Sequence, residues 1–330
     1  MEHYQIYHED IPAFLSECIK TPILKRLKLI RMNCGCEYTS FPQFVDLDSY
    51  SRYDHSIGVA LIIWHFTRDR AQTIAGLLHD VASPVFSHAV DFMHGDYLKQ
   101  ESTEEGTERL IAASAELQAI LREYELTTED VCDYHRYPIA DNDSPRLSAD
   151  RLEYTIGNSI NYRICTLEDV QGFYHDLTVG ANEDGNDELM FRSALVAESF
   201  AQAALACSRI YVSDADRYAM QILSEILAYA IEHRVIEEEE LTSTEPKVIG
   251  KLLSDEHTAS LWNHFCAYRQ TKSASQPDTT GYWRKVAAKK RFIDPMVQGQ
   301  GRISELSPNF ADSLNTFLDK SQDYWICGQR

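Results

Sequence analysis

The residues with the most chemistry in this chain lie in AGLLHDVASPVFSH, residues 75–88. An apolar helical run carrying Ile74, Leu77 and Leu78 ends in the pair His79-Asp80; a turn-prone Ser83-Pro84 follows, and then His88. Neutral imidazole and ionised carboxylate are both ligands for a mid-series divalent metal. Alone the pair means little, because a histidine at a helix C-terminus is favoured by the helix dipole whether or not it binds anything. Two other groups change the weighting. His55 falls in the first turns of SRYDHSIGVALIIWHF, and Asp150 near the start of LSADRLEYTIGNSI, where by itself it would be an ordinary first-turn carboxylate. His55, His79, Asp80 and Asp150 come from three helices, each near a loop, and suffice to hold one divalent ion with coordination positions left open. An open site of that kind lowers the pKa of a bound water and polarises a phosphoryl oxygen. Arg52, one turn before His55 on nearly the same face, offers a planar fork for a phosphate, and Arg151 beside Asp150 is a second candidate cation.

Helices must position these groups. Residues 9–19 read as a helix with Pro12 in its first turn. Thr21 caps a second, TPILKRLKLIRMN, with Pro22 at its first position and Gly35 stopping it. Ser51 caps the helix of His55, whose Ile57, Ala60, Leu61 and Trp64 predict one stripe packed inward. A helix over 71–80 leads into His79-Asp80, and TEEGTERLIAASAELQAILREY, 103–124, reads as one long amphipathic helix in which Gly106 costs about 1 kcal/mol against alanine. A loop at 141–145 precedes the 147–160 helix of Asp150. Residues 179–189, with an Asp184-Gly185 turn, predict a small hairpin. Two long helices follow over 191–211 and 214–233, the acidic run 237–240 reads as solvated surface, and two more helices lead from Thr244-Glu245-Pro246 to about Tyr268.

The polar, aperiodic stretch 269–281 reads as a linker, dividing a core of residues 1–268 from a C-terminal accessory segment, 282–330, packed on it. That segment opens on the basic run WRKVAAKKRFIDP, 283–295, which suits either contact with a phosphate or acidic partner or a solvated face, and closes in one helix, SELSPNFADSLNTFL. The expected fold is all-α, with one or two short β hairpins.

Composition narrows the function classes. Hydrophobic residues make up 44% of the 330, enough for a sizeable core. A formal net charge of -20 argues against non-specific nucleic-acid binding or attachment to an anionic membrane, while leaving room for a locally positive pocket and a small anionic substrate. The cysteines at 18, 34, 36, 132, 165, 207, 266 and 327 form no paired zinc framework, and Cys34-Gly-Cys36 reads as a tight glycine turn. The N-terminal MEHYQIYHEDIPAF has charges throughout and no apolar core, and no run of about 18 apolar residues occurs, so neither a secretory signal nor a membrane span is expected. With free cysteines, this points to the cytoplasm.

At the four metal-candidate residues the sequence resembles the HD-domain metal-dependent phosphohydrolases, whose ordered signature H…HD…D is matched by His55, His79-Asp80 and Asp150. TPILKRLKLIRMNCGCEYTSFP (21–42), SRYDHSIGVA (51–60), AGLLHDVASPVFSH (75–88) and ADRLEY (149–154) are similar to the deoxynucleoside-triphosphate triphosphohydrolase branch. The resemblance covers roughly residues 20–265 and weakens after 165. It implies an all-helical HD-domain fold, one divalent metal ion (Mn, Fe, Ni, Co, Mg or Zn), and hydrolysis of a small phosphorylated substrate, usually a nucleotide. By position, Arg52 and Arg151 match phosphate-contacting residues and Tyr154 a tyrosine near the sugar; Tyr211 matches another sugar-side tyrosine through a looser alignment. The branch usually has HDxGHxPFSH, so Ser83 stands where a catalytic histidine is expected, and Thr103 replaces a histidine of a His-Glu pair whose Glu104 remains. A hydroxyl cannot replace imidazole as a proton donor near neutral pH. The metal cage is complete and the acid/base set depleted, leaving His88, Asp91 and Glu104 as catalytic candidates, with His94 and His135 in reserve.

Three readings follow. In the first, the chain is a metal-dependent phosphohydrolase that activates water against a nucleotide or similar compound. In the second, it is a degenerate HD module that binds a nucleotide without turning it over. In the third, it is a scaffold whose basic run 283–295 docks an acidic partner. The sequence leaves homo-oligomer formation open.

Overall fold

The computed structural model describes residues 6–8, 10–93, 95 and 106–330. The chain is mainly helical with a few short strands. At its centre runs the Arg52–Thr67 helix. Its start is fixed by a reciprocal cap: the Asp54 amide donates to Ser51 Oγ at 3.3 Å and the Ser51 amide to Asp54 Oδ2 at 3.0 Å. Residues 55–63 are buried without a break, so the helix is enclosed on all sides rather than along the single expected stripe. The Pro22–Arg26 helix with the 3-10 turn Leu27–Leu29, the Arg70–Leu78 helix and the Ala149–Asn161 helix pack around it. An interior helix with apolar groups all round is what such a jacket requires.

Several predicted elements are shorter than expected, for local reasons. The first described helix is Ala13–Ile19, with Pro12 at its N-cap instead of its first turn. The helix opened by Thr21 and Pro22 ends by Leu29, because Ile30 turns extended and its carbonyl accepts the Arg52 amide at 2.9 Å, while Met32 donates to the Tyr50 carbonyl at 3.1 Å. Gly35 therefore does not stop it; with φ 88° it opens the 3-10 turn Cys36–Tyr38. The long helix expected over 103–124 is two, Thr107–Ala113 and Ala115–Glu123; Ser114 leaves helical geometry and its Oγ accepts the Leu117 amide as a new N-cap. Residues 103–105 lie outside the described residues.

The predicted hairpin is present as Leu177–Ala181 and Asp187–Phe191, antiparallel with Val179 opposite Leu189. Met296–Val297 extends it in parallel at Phe191↔Val297, and Gly301–Arg302 closes the sheet. Inside the stretch expected to be a linker, Gln270–Ala274 forms a strand against Trp325–Gln329, which also pairs with Trp283–Arg284. Backbone pairing there is independent of side-chain periodicity, which is why the polar sequence hides it.

Two hydrophobic clusters fill the molecule. One surrounds the Arg52–Thr67 helix and takes in Phe310, Leu314 and Phe317 of the Pro308–Asp319 helix. The other surrounds the Asp214–Glu232 helix, with Val248, Trp262 and Ile326. Val81 belongs to the first, Val85 and Phe86 to the second. The segment from His79 to His88 thus crosses from one cluster to the other, rigidly held at both ends. No described helix is long and apolar enough to cross a membrane.

Candidate metal centre

The three helices converge at their ends. His55 lies in the first turn of Arg52–Thr67, His79 at the C-cap of Arg70–Leu78, Asp80 one residue beyond, and Asp150 in the first turn of Ala149–Asn161 after the Ser148 cap. One donor atom each from His55, His79 and Asp80 lies within 4.8 Å of the others. Asp150 Oδ1 stands 3.0 Å from His55 Nε2 and 3.8 Å from His79 Nε2. Ligands bound at about 2.0–2.5 Å to a common cation are at most ~5 Å apart, so the donor set fits one divalent ion.

The outer nitrogens of both rings are already assigned. His79 Nδ1 donates to the Gly76 carbonyl at 2.7 Å, leaving Nε2 toward the acidic groups. His55 Nδ1 meets Glu153 Oε2 at 2.5 Å. Glu153 is wholly buried and also accepts from Tyr50 Oη at 2.5 Å and Tyr7 Oη at 3.5 Å. Its seat depends on Gly58, where any Cβ would come within 2.5 Å of the carboxylate. A carboxylate behind a histidine ligand fixes the ring and raises its basicity. Glu153 carries one signal in the sequence, its spacing three residues after Asp150 and so on the same helix face, and its role emerges only in the fold.

The electrostatics follow from this packing. Burial opposes charge on His55, but hydrogen bonds to Asp150 and Glu153 outweigh it and push the ring up to about 10. Burial likewise opposes charge on Asp80, yet Arg52, His79 and His55 hold its carboxyl well below the usual range. Arg52 Nη1 donates to both Asp80 oxygens, at 3.0 and 2.8 Å, and its Nε to Ser87 Oγ at 3.2 Å. The guanidinium expected at a phosphate is thus seated on the Asp80 carboxylate. Ser83, where the resemblance expects histidine, donates through Oγ to Asp80 Oδ1 at 2.7 Å. Arg26 ties down this loop by donating to the Val81 and Ser83 carbonyls at 2.8 and 2.9 Å.

The centre opens into a cavity of about 550 Å³. Arg52, Arg151, Tyr154, Tyr211 and His88 all line it. Arg151 is turned onto the neighbouring loop, donating to the Arg146 carbonyl at 2.7 Å and Asn142 Oδ1 at 2.5 Å and pairing with Asp141 at 3.0 Å. Tyr211 Oη accepts from Asn158 at 2.8 Å. His88 Nδ1 donates to the buried Asp91 at 2.8 Å. Burial lowers the pKa of His88; Asp91 opposes that shift, and Arg291 and Arg52 add to it. His135 lies at the cavity edge, half exposed. Glu104, Thr103 and His94 lie outside the described residues.

A further cavity residue, Asp216, went unrecognised in the sequence, and Arg291 was marked only as part of the basic run 283–295. Asp216 is buried near Cys36, whose Sγ lies 3.7 Å from Oδ1. Burial pushes its carboxyl up to about 8, against the opposing pull of Cys36, Arg217 and Arg291. An acid whose folded pKa is raised holds its proton in the folded state while the unfolded chain has released it. Stability from this group is therefore complete below the unfolded value of 3.8 and is lost as pH rises toward about 8. Denaturation of an Asp216→Asn variant across that window should show a flatter fall in stability than the parent; an identical slope would contradict the assignment.

Comparisons with known proteins place these observations. No family model matches the chain. It is 28% identical over 250 residues to the uncharacterized protein YdhJ of Bacillus subtilis, covering 76% of this chain and 73% of that one. It is 23% identical over 303 residues to the metal-dependent phosphohydrolase cns2 of Cordyceps militaris, covering 90% of this chain and 84% of the relative. The fold is similar to that of a phosphohydrolase from Bacteroides thetaiotaomicron, with a TM-score of 0.63, 16% sequence identity and 97% of each chain covered.

Proposed function

We propose that this chain is a metal-dependent phosphohydrolase of the HD type, acting on a small phosphorylated substrate, with a nucleotide as the leading class. The observation that carries this reading is the convergence of His55, His79, Asp80 and Asp150 at the end of a cavity walled by cations and tyrosines. A divalent ion held by these four groups supplies Lewis acidity toward a phosphoryl oxygen and lowers the pKa of water. The chain's own residues do the rest. Arg52 and Arg151 lend positive potential to the cavity while hydrogen-bonded to Asp80 and to the 141–146 loop, and Tyr154 and Tyr211 flank the organic part of the substrate. His88, oriented by Asp91 and neutral near pH 7, accepts a proton during hydrolysis and delivers it to the leaving oxygen.

The resemblance to the triphosphohydrolase branch supports a nucleotide, and the name of the Cordyceps relative supports the reaction class. Ser83 favours the second reading, a module that binds without turnover, because its hydroxyl is engaged with Asp80 and supplies no imidazole. A phosphate-release screen over nucleotides and phosphomonoesters, with Mn, Fe, Ni, Co, Mg and Zn in turn, separates the two. The expected result is metal-dependent release that disappears in a His79→Ala variant. Binding without product under every metal would leave the non-catalytic module standing and remove the hydrolase.

A further inference from the structure

Only part of the basic run 283–295 faces solvent: Lys285 and Lys289 are exposed, while Arg284, Lys290 and Arg291 are half-buried. Arg284 pairs with Glu225 at 2.6 Å, Lys285 with Asp323 at 2.6 Å, and Lys290 donates to the Leu318 and Lys320 carbonyls. Lys289 and Arg291 instead line the cavity of the metal centre. The stretch bearing them is anchored along its length: the Val286 carbonyl accepts from buried Arg217, the Ala288 amide donates to Gln322 at 2.9 Å, Ile293 is buried, and the Asp294 amide donates to the Pro145 carbonyl at 2.9 Å.

Arg291 differs from the other arginines of the cavity. Arg52 is committed to Asp80 and Ser87, and Arg151 to the 141–146 loop. Arg291 is half-buried and makes no hydrogen bond or ion pair among the described residues. Its guanidinium nitrogens remain solvent-accessible within the cavity, where they can take an anion through charge-assisted hydrogen bonds. A carboxyl within its field, Asp216, keeps its proton at neutral pH and does not cancel the charge. The field of Arg291 also reaches His88 and Tyr154, and His88 feels Arg52 as well. His88, Arg52 and Arg291 line the same cavity, so an anion held beside His88 shares it with both guanidiniums.

We propose that Arg291, delivered by the anchored 286–295 stretch, is a substrate-binding residue that takes the phosphate oxygens beside His88. The C-terminal segment thereby completes the anion site that the three metal-bearing helices leave open. The inference rests on the phosphohydrolase reading for the identity of the substrate, though not for the anion site itself.

The test is calorimetric titration of the full-length, metal-loaded protein with inorganic phosphate. Arg291→Gln should weaken phosphate binding at least about tenfold, the effect expected for losing one charge-assisted contact. Metal content should be unchanged, and Lys285→Gln, which alters a surface pair in the same run, should bind as the parent does. Arg291→Met, which keeps the aliphatic packing, serves as the second variant should the glutamine chain fail to fold. Phosphate affinity within twofold of the parent in a folded, metal-loaded Arg291 variant would overturn the proposal, as would an equal loss in Lys285→Gln. A parent that releases no phosphate from any ester, but whose phosphate binding still depends on Arg291, would sink the hydrolase reading and leave this one. Turnover and phosphate binding both indifferent to Arg291 would do the reverse.

Discussion

An Asp80→Ala variant is expected to lose its divalent ion and all phosphate release, and to unfold about 3–5 kcal/mol more easily than the parent in metal-free buffer. Asp80 does two jobs. Its carboxylate is one of the converging groups that could hold a metal, and it is also the counter-charge of Arg52, which is 7% exposed and donates to both its oxygens. Deleting it strands a buried guanidinium, and the cost of breaking a buried pair exceeds the net worth of the pair. Its pH signature has a definite sign. Folding depresses this carboxyl from an ordinary 3.8, so the stability it contributes is present above that value and is lost as pH falls further into acid. Denaturant titrations of the metal-free parent and variant, run at neutral pH and below 3.8, should therefore differ most at neutral pH and converge in acid. A variant that keeps its metal, or whose stability deficit is the same at both pH values, would refute this account of Asp80.

Glu153→Gln should reduce metal affinity by about 10–100-fold, although Glu153 is not itself among the converging donors. The carboxylate holds His55 Nδ1 at 2.5 Å, and with Asp150 it makes His55 an unusually basic ring. An amide is neutral and presents a donor edge to Tyr50 and Tyr7, both of which donate to the carboxylate. Gly58 lies too close for the side chain to swing away, since even a Cβ there would sit 2.5 Å from Glu153 Oε1. One mispaired buried group follows, with a stability loss of about 1–3 kcal/mol. Metal titration with a competing chelator measures the affinity, and ring NMR signals of His55 should report a lower pKa than about 10 in the metal-free variant. Unchanged affinity with a shifted His55 would mean that the carboxylate serves the fold and not the metal.

Much of this molecule was legible before its structure. The Ser51 cap marked the start of the helix that carries His55, because capping is a short-range hydrogen-bond pattern written in neighbouring residues, whereas the helix of Asp150 was read from 147, ahead of its true start after the Ser148 cap. The apolar run into His79-Asp80 and the Asp184-Gly185 turn were readable for the same reason. The break at Ser114 was missed: a serine inside an amphipathic period can either continue a helix or cap a new one, and packing chooses. The strand at 270–274 was missed because its partner lies some fifty residues on, at 325–329.

The chain itself determined which groups could bind a metal, at which helix ends they would sit, and that local capping would present them to loops. Only the tertiary structure decided what stands behind and around them. Glu153 under His55, Arg52 drawn onto the Asp80 carboxylate, and Arg291 brought to the cavity from the C-terminal segment bring distant stretches together. Their distances depend on how two hydrophobic clusters close around the 79–88 segment, and no local pattern of residues encodes that closure.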